Sequence, residues 1–291
     1  MQTSLDCIPC LLRQALDAAR LITPDPMVHE QILREVLHWA HQMDLNQSPP
    51  FMAQHFHRRL RELTGVADPY HKVKSQANQL CNALVPLLRH DVLASKNPLL
   101  TAARIAIAGN MIDMAANGYP SHNEIEKSMR SALQANFWGE EQRFIQEVAR
   151  AKNVLYLADN AGEIAFDRLL IEQISPEKVT VAVRGFPAIN DATLIEANEV
   201  GLDQIVKVIS NGSDAPGTIL NDCSPKFRKA FQKADLIIAK GQGNFESLSH
   251  HPANIFFLFK IKCPVIAVQI NQPIGTQVLI HHETCIRTSP L

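Results

Sequence analysis

The hydrophobic pattern of this chain changes its period near Lys152, and that change limits the folds that the chain can adopt. Before Lys152, apolar residues recur at spacings of three and four, as in "SLDCIPCLLRQALDAARLI", which is typical of helices that bury one face. After Lys152, short apolar runs alternate with helix-like segments, as parallel strands and crossover helices do. The runs predicted to be strands are Val154–Leu157, Val179–Val183, Ile205–Ile209, Leu236–Ala239 and Val265–Ile270.

This pattern predicts an α/β protein with two parts. Residues 1–150 are expected to form an all-helical N-terminal part, and residues 151–291 an α/β sheet core that carries the functional site. The C-terminal "QVLIHHETCIRTSPL" is expected to be an edge strand followed by a loose tail. Gly65 is expected to end one helix as its C′ residue. Asp68 and Pro69 are expected to begin the next helix as N-cap and first helical residue.

Composition and charge argue against several classes of protein. Hydrophobic residues make up 46% and charged residues 20% of the chain, as in ordinary globular proteins. The formal net charge is −1, so nothing favours nucleic acid or a membrane surface as a partner. Asp6 and Arg13 interrupt the segment where a signal peptide needs apolar residues, and no apolar run approaches about 18 residues. We therefore expect a cytoplasmic protein whose six cysteines are reduced.

Polar residues and glycines follow four of the predicted strands. In an open α/β sheet, ligands bind beyond the carboxyl ends of the strands. One such loop is usually explained by helix capping, but four successive loops at the same edge indicate one site. In chain order the loops contain Asp159, Asn160, Gly162 and Glu163; Arg184, Gly185, Asn190 and Asp191; Ser210, Asn211, Gly212, Ser213, Asp214 and Gly217; and Lys240, Gly241, Gly243, Asn244 and Glu246.

The side chains in these loops suggest chemistry on phosphate. Oxygen donors from Asp159, Asn160 and Asp191 are hard ligands that suit a divalent ion such as Mg²⁺ or Mn²⁺. The glycine-bearing loop at 211–217 can present backbone N–H groups to an anion, and Lys240 can supply a mobile positive charge to a phosphate oxygen. These are the components of phosphoryl transfer or hydrolysis. The loops contain neither a P-loop nor a dinucleotide-binding glycine motif, which disfavours those folds.

Four motifs in this order resemble the domain-of-unknown-function-89 family of metal-dependent damage-control phosphatases: "LADNAGE", "VRGFPAINDAT", "SNGSDAPGT" and "KGQGNFESL". The segments "DCIPCLLRQ", "DPYHKVKSQAN" and "GNMIDM" are similar to its prokaryotic, archaeal-type branch, and the resemblance covers essentially the whole chain. It implies a helical N-terminal part on a Rossmann-like α/β/α core that carries a divalent metal, whether Mn, Mg, Co or Ni. It also implies hydrolysis of a small phosphorylated metabolite, such as a sugar phosphate or a damaged phosphometabolite.

The resemblance assigns roles to individual residues. The metal ligands fall on Asp159, Asn160 and Asp191, and the basic phosphate contact falls on Lys240. Asp159 and Lys240 are the expected catalytic residues, and we expect a water rather than the Asp159 carboxylate to attack phosphorus. The expected substrate-binding residues are Lys240, Asn244, Glu246, Asn211 and Arg184. Asn110 and Asp113 of "GNMID" are expected to face the site from the helical part.

Alternatives stay open on the sequence alone. The chain could be a non-catalytic metal- or nucleotide-binding module, or a Rossmann-type methyltransferase in which Asp191 holds ribose hydroxyls. The pair Cys7 and Cys10 has two interpretations. It fits packing at a helix start, with Pro9 in the first turn. It also fits half of a metal site that is completed by a distant ligand such as Cys81.

Overall fold

The computed structural model describes residues 1–109 and 122–288. In the described N-terminal region the helices are α1 (Cys7–Ile22), α2 (Pro26–Ala40), α3 (Pro49–Thr64), α4 (His71–Ala94), α5 (Pro98–Ala108) and α6 (His122–Leu133). The later helices are α7 (Glu141–Arg150), α8 (Glu163–Ile174), α9 (Leu194–Glu199), α10 (Pro225–Lys233), α11 (Gln242–Leu248), α12 (Pro264–Ile270) and α13 (His282–Thr288). The strands are β1 (Phe137–Gly139), β2 (Val154–Leu157), β3 (Val179–Val183), β4 (Lys207–Ser210), β5 (Leu236–Lys240), β6 (Ile255–Lys260) and β7 (Gln277–His281).

The described strands form one mixed sheet in the order β1-β7-β6-β5-β2-β3-β4. Every neighbouring pair is parallel except β6 and β7, which are antiparallel. Strands β2 and β5 are buried along their whole length. Helices cover both faces there, which explains why these strands appear in the sequence as unbroken apolar runs.

The core confirms the predicted α/β/α layering. On one face of the sheet, α4, α5 and α8 pack with β2 and β3 in a single apolar cluster. On the other face, α10, α11 and α12 pack against β5 and β6. A third cluster joins α1, α2 and α3. Because the first cluster mixes side chains from both halves of the chain, the helical part lies directly on the sheet, and the division at residue 150 stays a prediction.

Several predicted strands need correction. Val265–Ile270 lies in α12, where Pro264 occupies the first turn and the buried residues Ile266 and Ile270 are four apart, the spacing of one helical face. The apolar run of β6 was not among the predicted strands, although it is fully buried as far as Phe259. Strand β7 is not an edge strand, because β1 pairs with its outer side. Strand β1 itself interrupts a region that was expected to be helical.

Local sequence explains where the helices begin and end. Gly65 ends α3 in the left-handed conformation at φ 70°, as predicted. Helix α4 begins two residues later than predicted, because Asp68 Oδ1 accepts a hydrogen bond from Tyr70 N at 3.0 Å and so organises the turn before the helix. Thr193 and Glu196 form a reciprocal capping box at the start of α9.

No helix within residues 1–109 or 122–288 combines the length and the apolar character that crossing a bilayer requires.

Candidate metal centre at the sheet edge

The candidate site lies at the end of β2, where successive strands begin to be added on the opposite side of the sheet. From β2 the chain continues outward through β3 and β4, whereas β5 lies on the opposite side of β2. The carboxyl ends of β2, β3 and β5 therefore open into one crevice, which is the usual ligand position in such sheets. Asp159, Asp191 and Gly241 all lie in the segments that leave these strands.

Backbone hydrogen bonds hold the loops after β2 and β3 side by side. Ala192 N donates to Asp159 O at 2.8 Å, and Ala161 N donates to Asn190 O at 2.9 Å. An isolated antiparallel bridge links Asn160 with Asp191. The three residues expected to bind metal are therefore neighbours in space, although 32 positions separate the first from the last.

The Asp159 carboxylate rests against the backbone of Gly241, the residue that follows β5. A Cβ atom at position 241 would overlap both oxygens of this carboxylate. Gly241 also has φ 78° and ψ 161°, a combination that essentially only glycine adopts. Glycine is thus required at position 241 for both its conformation and its lack of a side chain.

Asn160 connects two carboxylates in the site. Its Nδ2 donates to Asp159 Oδ2 at 2.7 Å and to Glu163 Oε2 at 3.1 Å. The loop that carries Asn160 is itself held from the helical part, because Gly162 N donates to Asn78 Oδ1 at 2.7 Å. Helix α4 therefore helps to position the start of α8.

Arg184 lies between the two aspartates that are expected to bind metal. Its side chain is 2% exposed, and Nε donates to Asp191 Oδ2 at 2.6 Å. Nη2 lies 3.7 Å from Asp159 Oδ1, too far for a hydrogen bond, and is buried without a hydrogen-bond acceptor. Nη1 donates to Asn244 Oδ1 at 3.3 Å. Arg184 thus joins three of the predicted site residues, while its Nη2 amino group lacks an acceptor.

Lys240 was expected to supply a mobile charge, but its side chain is completely buried. Nζ donates to Asp167 Oδ1 at 2.6 Å, to Ala106 O at 2.9 Å and to Glu163 Oε1. Tyr156 also donates to Asp167 Oδ1, at 2.7 Å. All three N–H donors of Lys240 are therefore engaged inside the protein, and a direct contact with phosphate stays a prediction.

The charges at the site leave room for a divalent cation. Arg184 pairs with Asp159 and Asp191, and Lys240 pairs with Glu163 and Asp167. When all six groups are ionised, two basic side chains face four carboxylates, and the excess of negative charge equals the charge of one divalent ion.

The pKa values support the same conclusion. Burial raises the pKa of Glu163 to about 8 despite the opposing effect of Lys240, and the charge of Asp159 adds to the rise. Burial raises the pKa of Asp191 to about 7 despite Arg184, again with a contribution from Asp159. Crowded oxygen donors of this kind fit Mg²⁺ or Mn²⁺, which prefer hard ligands.

The other predicted site residues have distinct positions. Asn244 is buried, and its Nδ2 donates to Lys240 O at 2.7 Å, so it supports the end of β5. Asn211 Oδ1 accepts from Gly185 N and Ser213 N, both at 2.9 Å, and so connects two loops. Burial raises the pKa of Glu246 to about 7, and the charge of Asp159 contributes, which places Glu246 near the crevice. Asn110 and Asp113 lie outside the described residues.

Two acidic residues of the site were not assigned a role from the sequence. Glu163 and Asp167 are four residues apart on α8, so they lie on the same helical face, and both are buried. Most other buried residues of α8 are apolar. An acidic pair at this spacing in an otherwise apolar helix, directly after a strand, was the signal that could have identified them.

The helical part also contributes charged side chains near the crevice. Arg58 Nη2 donates to Asp214 Oδ1 at 2.6 Å, and Arg61 pairs with Asp214 as well. Lys74 lies 2.9 Å from Glu196 and close enough to Asp191 to lower its pKa. Ion pairs therefore bind α3 to the loop that carries Asp214, and α4 to the start of α9.

Comparison with known proteins identifies the family. Residues 3–278 match the model of the damage-control phosphatase ARMT1-like domain. A protein of Archaeoglobus fulgidus called a damage-control phosphatase is 36% identical over 287 residues, which cover 96% of this chain and 98% of the relative. A damage-control phosphatase of Pyrococcus horikoshii is 33% identical over 291 residues, covering 97% and 99%.

The fold agrees with this assignment. The crystal structure of a domain-of-unknown-function-89 protein from Pyrococcus horikoshii superimposes with a TM-score of 0.89 at 31% identity. The match covers 97% of this chain and 99% of that chain. This chain therefore belongs to the family of damage-control phosphatases with an ARMT1-like domain, as its four loop motifs suggested.

Proposed function

We propose that this protein is a divalent-metal-dependent phosphatase that hydrolyses a phosphate monoester of a small metabolite. The observation that carries the proposal is the crevice beyond β2, β3 and β5, where four carboxylates face two buried basic side chains. The relatives named damage-control phosphatases support a sugar phosphate or a damaged phosphometabolite as the substrate class. They do not favour a methyltransferase or a binding module.

Asp159, Asn160 and Asp191 would hold the metal ion. When bound there, a divalent ion supplies Lewis-acid polarisation of a phosphate oxygen and makes a water more acidic. Asn160 orients the Asp159 carboxylate through a hydrogen bond of 2.7 Å. Because a carboxylate bound to metal is a poor nucleophile, we propose that water attacks phosphorus and that Asp159 forms no covalent intermediate.

Arg184 is the side chain best placed to bind the phosphate group. Its guanidinium is held on one side by Asp191, while Nη2 is buried and lacks an acceptor. A phosphate oxygen would provide that acceptor, and hydrogen bonds between arginine and phosphate are among the strong ones. Asn244 fixes Nη1 from the other side at 3.3 Å.

Lys240, Asn211 and Glu246 are proposed to act around this contact. Lys240 holds the two carboxylates of α8 in place through Nζ, and reaching a phosphate oxygen would require Nζ to give up one of its three present acceptors. Asn211 fixes the loop of Gly185 beside Arg184. Glu246, half-buried and with a raised pKa, is proposed to accept a hydrogen bond from a substrate hydroxyl.

Phosphate release is the direct test of this function. Protein stripped with a chelator would receive Mg²⁺, Mn²⁺, Co²⁺ or Ni²⁺ singly, with p-nitrophenyl phosphate and a panel of sugar phosphates as substrates. We expect at least one ion to restore turnover. Metal binding without turnover on any phosphate ester would instead indicate a binding module.

Metal binding is also expected to stabilise the fold. A ligand that binds only the native state at a concentration 100 times its Kd adds about 2.7 kcal/mol to the free energy of unfolding. We expect Mn²⁺ or Mg²⁺ to raise the Tm of the stripped protein, and Asp191→Asn to remove most of this increase. The exposed Asp203 provides the control, since Asp203→Asn should keep the full increase. An equal increase in both variants would contradict the proposed ligand set.

Loss of the Lys240 charge should be costly to stability. Lys240→Met would leave Glu163 and Asp167 buried without their cation, and breaking a buried ion pair in this way costs about 3–5 kcal/mol. Urea unfolding of Lys240→Met, with the exposed Lys229→Met as the control, measures this cost. Adding Asp167→Asn to the first variant should restore part of the loss. A Lys240→Met protein as stable as the control would show that the ion pairs contribute little.

A further inference from the structure

Two histidines and a glutamate converge where β7 passes into α13. His281 is the last residue of β7, and His282 is the first residue of α13. Adjacent side chains of a continuous strand point to opposite faces, but the change from strand to helix between these two residues brings their ring centroids within 4.2 Å. His281, His282 and Glu283 each offer a ligand atom, and these atoms all lie within 4.8 Å of one another.

This histidine cluster lies at the opposite edge of the sheet from the catalytic crevice. His281 pairs with Phe256, near the beginning of β6, and β6 runs parallel to β5. The crevice opens at the carboxyl ends of the parallel strands, whereas the cluster lies near their amino ends. The proposed phosphatase site therefore uses none of its three residues.

Hydrogen bonds determine which nitrogen of His281 can bind a cation. Asn254 Nδ2 donates to Asp235 O at 2.8 Å and to Glu147 Oε2 at 3.0 Å, which leaves Asn254 Oδ1 facing His281 Nε2 at 2.8 Å. Because this oxygen can only accept, Nε2 carries the ring proton and Nδ1 carries a lone pair. A histidine that binds metal is usually held by such a hydrogen bond from its other ring nitrogen.

The lone pair of His281 Nδ1 lies beside Glu283. Glu283 N donates to Nδ1 only at the long distance of 3.4 Å, and Glu283 Oε2 lies 3.8 Å from Nδ1. One zinc ion with bonds of about 2.0–2.2 Å can bridge two donors at this separation. Glu283 is exposed and pairs with Arg143 at 2.8 Å, but exposed ion pairs contribute little to stability. Arg143 would keep Glu140, 3.5 Å away, as its partner.

Burial keeps both imidazoles in the form that binds metal. His281 is 2% exposed and His282 is 8% exposed. Burial lowers the pKa of His281 to about 4, with contributions from the charges of His282 and Arg143, and burial also lowers the pKa of His282. His282 Nδ1 lies 3.2 Å from His281 Nε2, so the second ring is held against the first. Near pH 7 both rings are neutral, as metal binding requires.

We propose that His281, His282 and Glu283 bind a divalent transition-metal cation such as Zn²⁺. Two imidazoles and one carboxylate suit Zn²⁺, whereas Mg²⁺ prefers oxygen ligands alone. The ion would attach the start of α13 to the end of β7 and so stabilise this edge of the sheet. The inference does not depend on the proposed function, because the cation would contact neither the crevice nor its carboxylates.

Zinc binding to a full-length protein with a disabled crevice tests this site. Chelator-stripped Asp191→Asn protein would be titrated with Zn²⁺ in a calorimeter, and we expect one ion per chain. Adding His282→Gln or Glu283→Gln removes one donor and should abolish this binding. Asn254→Ala removes only the acceptor of His281 Nε2 and should weaken binding about 10–100-fold. His90→Gln replaces an exposed histidine elsewhere and should leave binding unchanged.

Several outcomes would overturn the proposal. Asp191→Asn protein that binds no Zn²⁺ would do so, as would unchanged binding after His282→Gln and Glu283→Gln. An equal loss in His90→Gln would show adventitious binding to surface histidines only. Circular dichroism would verify the fold, and the exposed Glu283 is the position where a substitution disturbs it least. If wild-type protein releases no phosphate while this zinc binding is found, the histidine cluster stands as a site and the proposed function fails.

Discussion

Replacement of Asp159 by alanine is expected to lower metal-dependent phosphate release by about 10³-fold, the effect of removing a principal electrostatic group from an active site. Asp159 lies at the centre of the crevice, where it contacts Asn160 and faces Arg184. The fold should survive, because the charge of Asp159 raises the pKa of both Glu163 and Asp191, and its removal relieves that repulsion. Phosphate release at saturating Mn²⁺ or Mg²⁺ measures the loss.

Two further variants make this result specific. Asp191→Ala should lower activity to a similar extent, and Asp191→Asn tests the same position while keeping an acceptor for Arg184 Nε. Asp203→Ala removes an exposed carboxylate and should leave turnover unchanged. Circular dichroism and Tm would verify that each variant is folded. Unchanged turnover in the Asp159 or Asp191 variants would mean that the catalytic site lies elsewhere.

The convergence of Asp159, Asn160 and Asp191 at one edge of the sheet could be predicted from sequence, because it depends on strand direction. The strands that precede Asp159 and Asp191 are parallel neighbours, so their carboxyl ends open at the same edge wherever the connecting helix lies. Long apolar runs followed by Asp and Asn are visible without knowledge of tertiary contacts. Four loops of this kind identified the edge even though one of the five predicted strands, Val265–Ile270, was wrong.

Whether Lys240 is buried or exposed depends on contacts between distant segments, which the local sequence pattern does not show. Its acceptors are Glu163 and Asp167 on α8 and the carbonyl of Ala106 on α5, which lie 73 to 134 positions away. A lysine at the end of a strand has the same local pattern whether it reaches solvent or a buried carboxylate. The error in α12 has a related cause, because a six-residue segment with five apolar residues fits a buried strand and a short helix equally well.

The pair Cys7 and Cys10 shows the same limit. Its spacing fits half of a metal site as well as packing at a helix start. Cys81 was a possible distant ligand from the sequence, but it is buried against the loop of Gly162, a contact that depends on how α4 packs.

Gly241→Ala is expected to impair both activity and stability, although alanine adds only one methyl group. The new Cβ would overlap the Asp159 carboxylate, which must then move away from Asn160 and Arg184. The backbone at φ 78° and ψ 161° lies in a region that essentially only glycine occupies, and holding another residue there costs about 1–3 kcal/mol. We expect a loss of metal-dependent turnover comparable to that of Asp159→Ala, together with a lower Tm.

Gly65 provides the control for the effect of the backbone. It also has a positive φ, 70°, but a Cβ there meets nothing within 4 Å. Gly65→Ala should therefore cost about 1–2 kcal/mol of stability for the left-handed conformation and leave turnover intact. Adding Asp159→Ala to Gly241→Ala removes the overlapping carboxylate and should recover part of the Tm without restoring activity. If Gly241→Ala kept full metal-dependent turnover, the contact between Asp159 and position 241 would have no role in holding the proposed metal ligand.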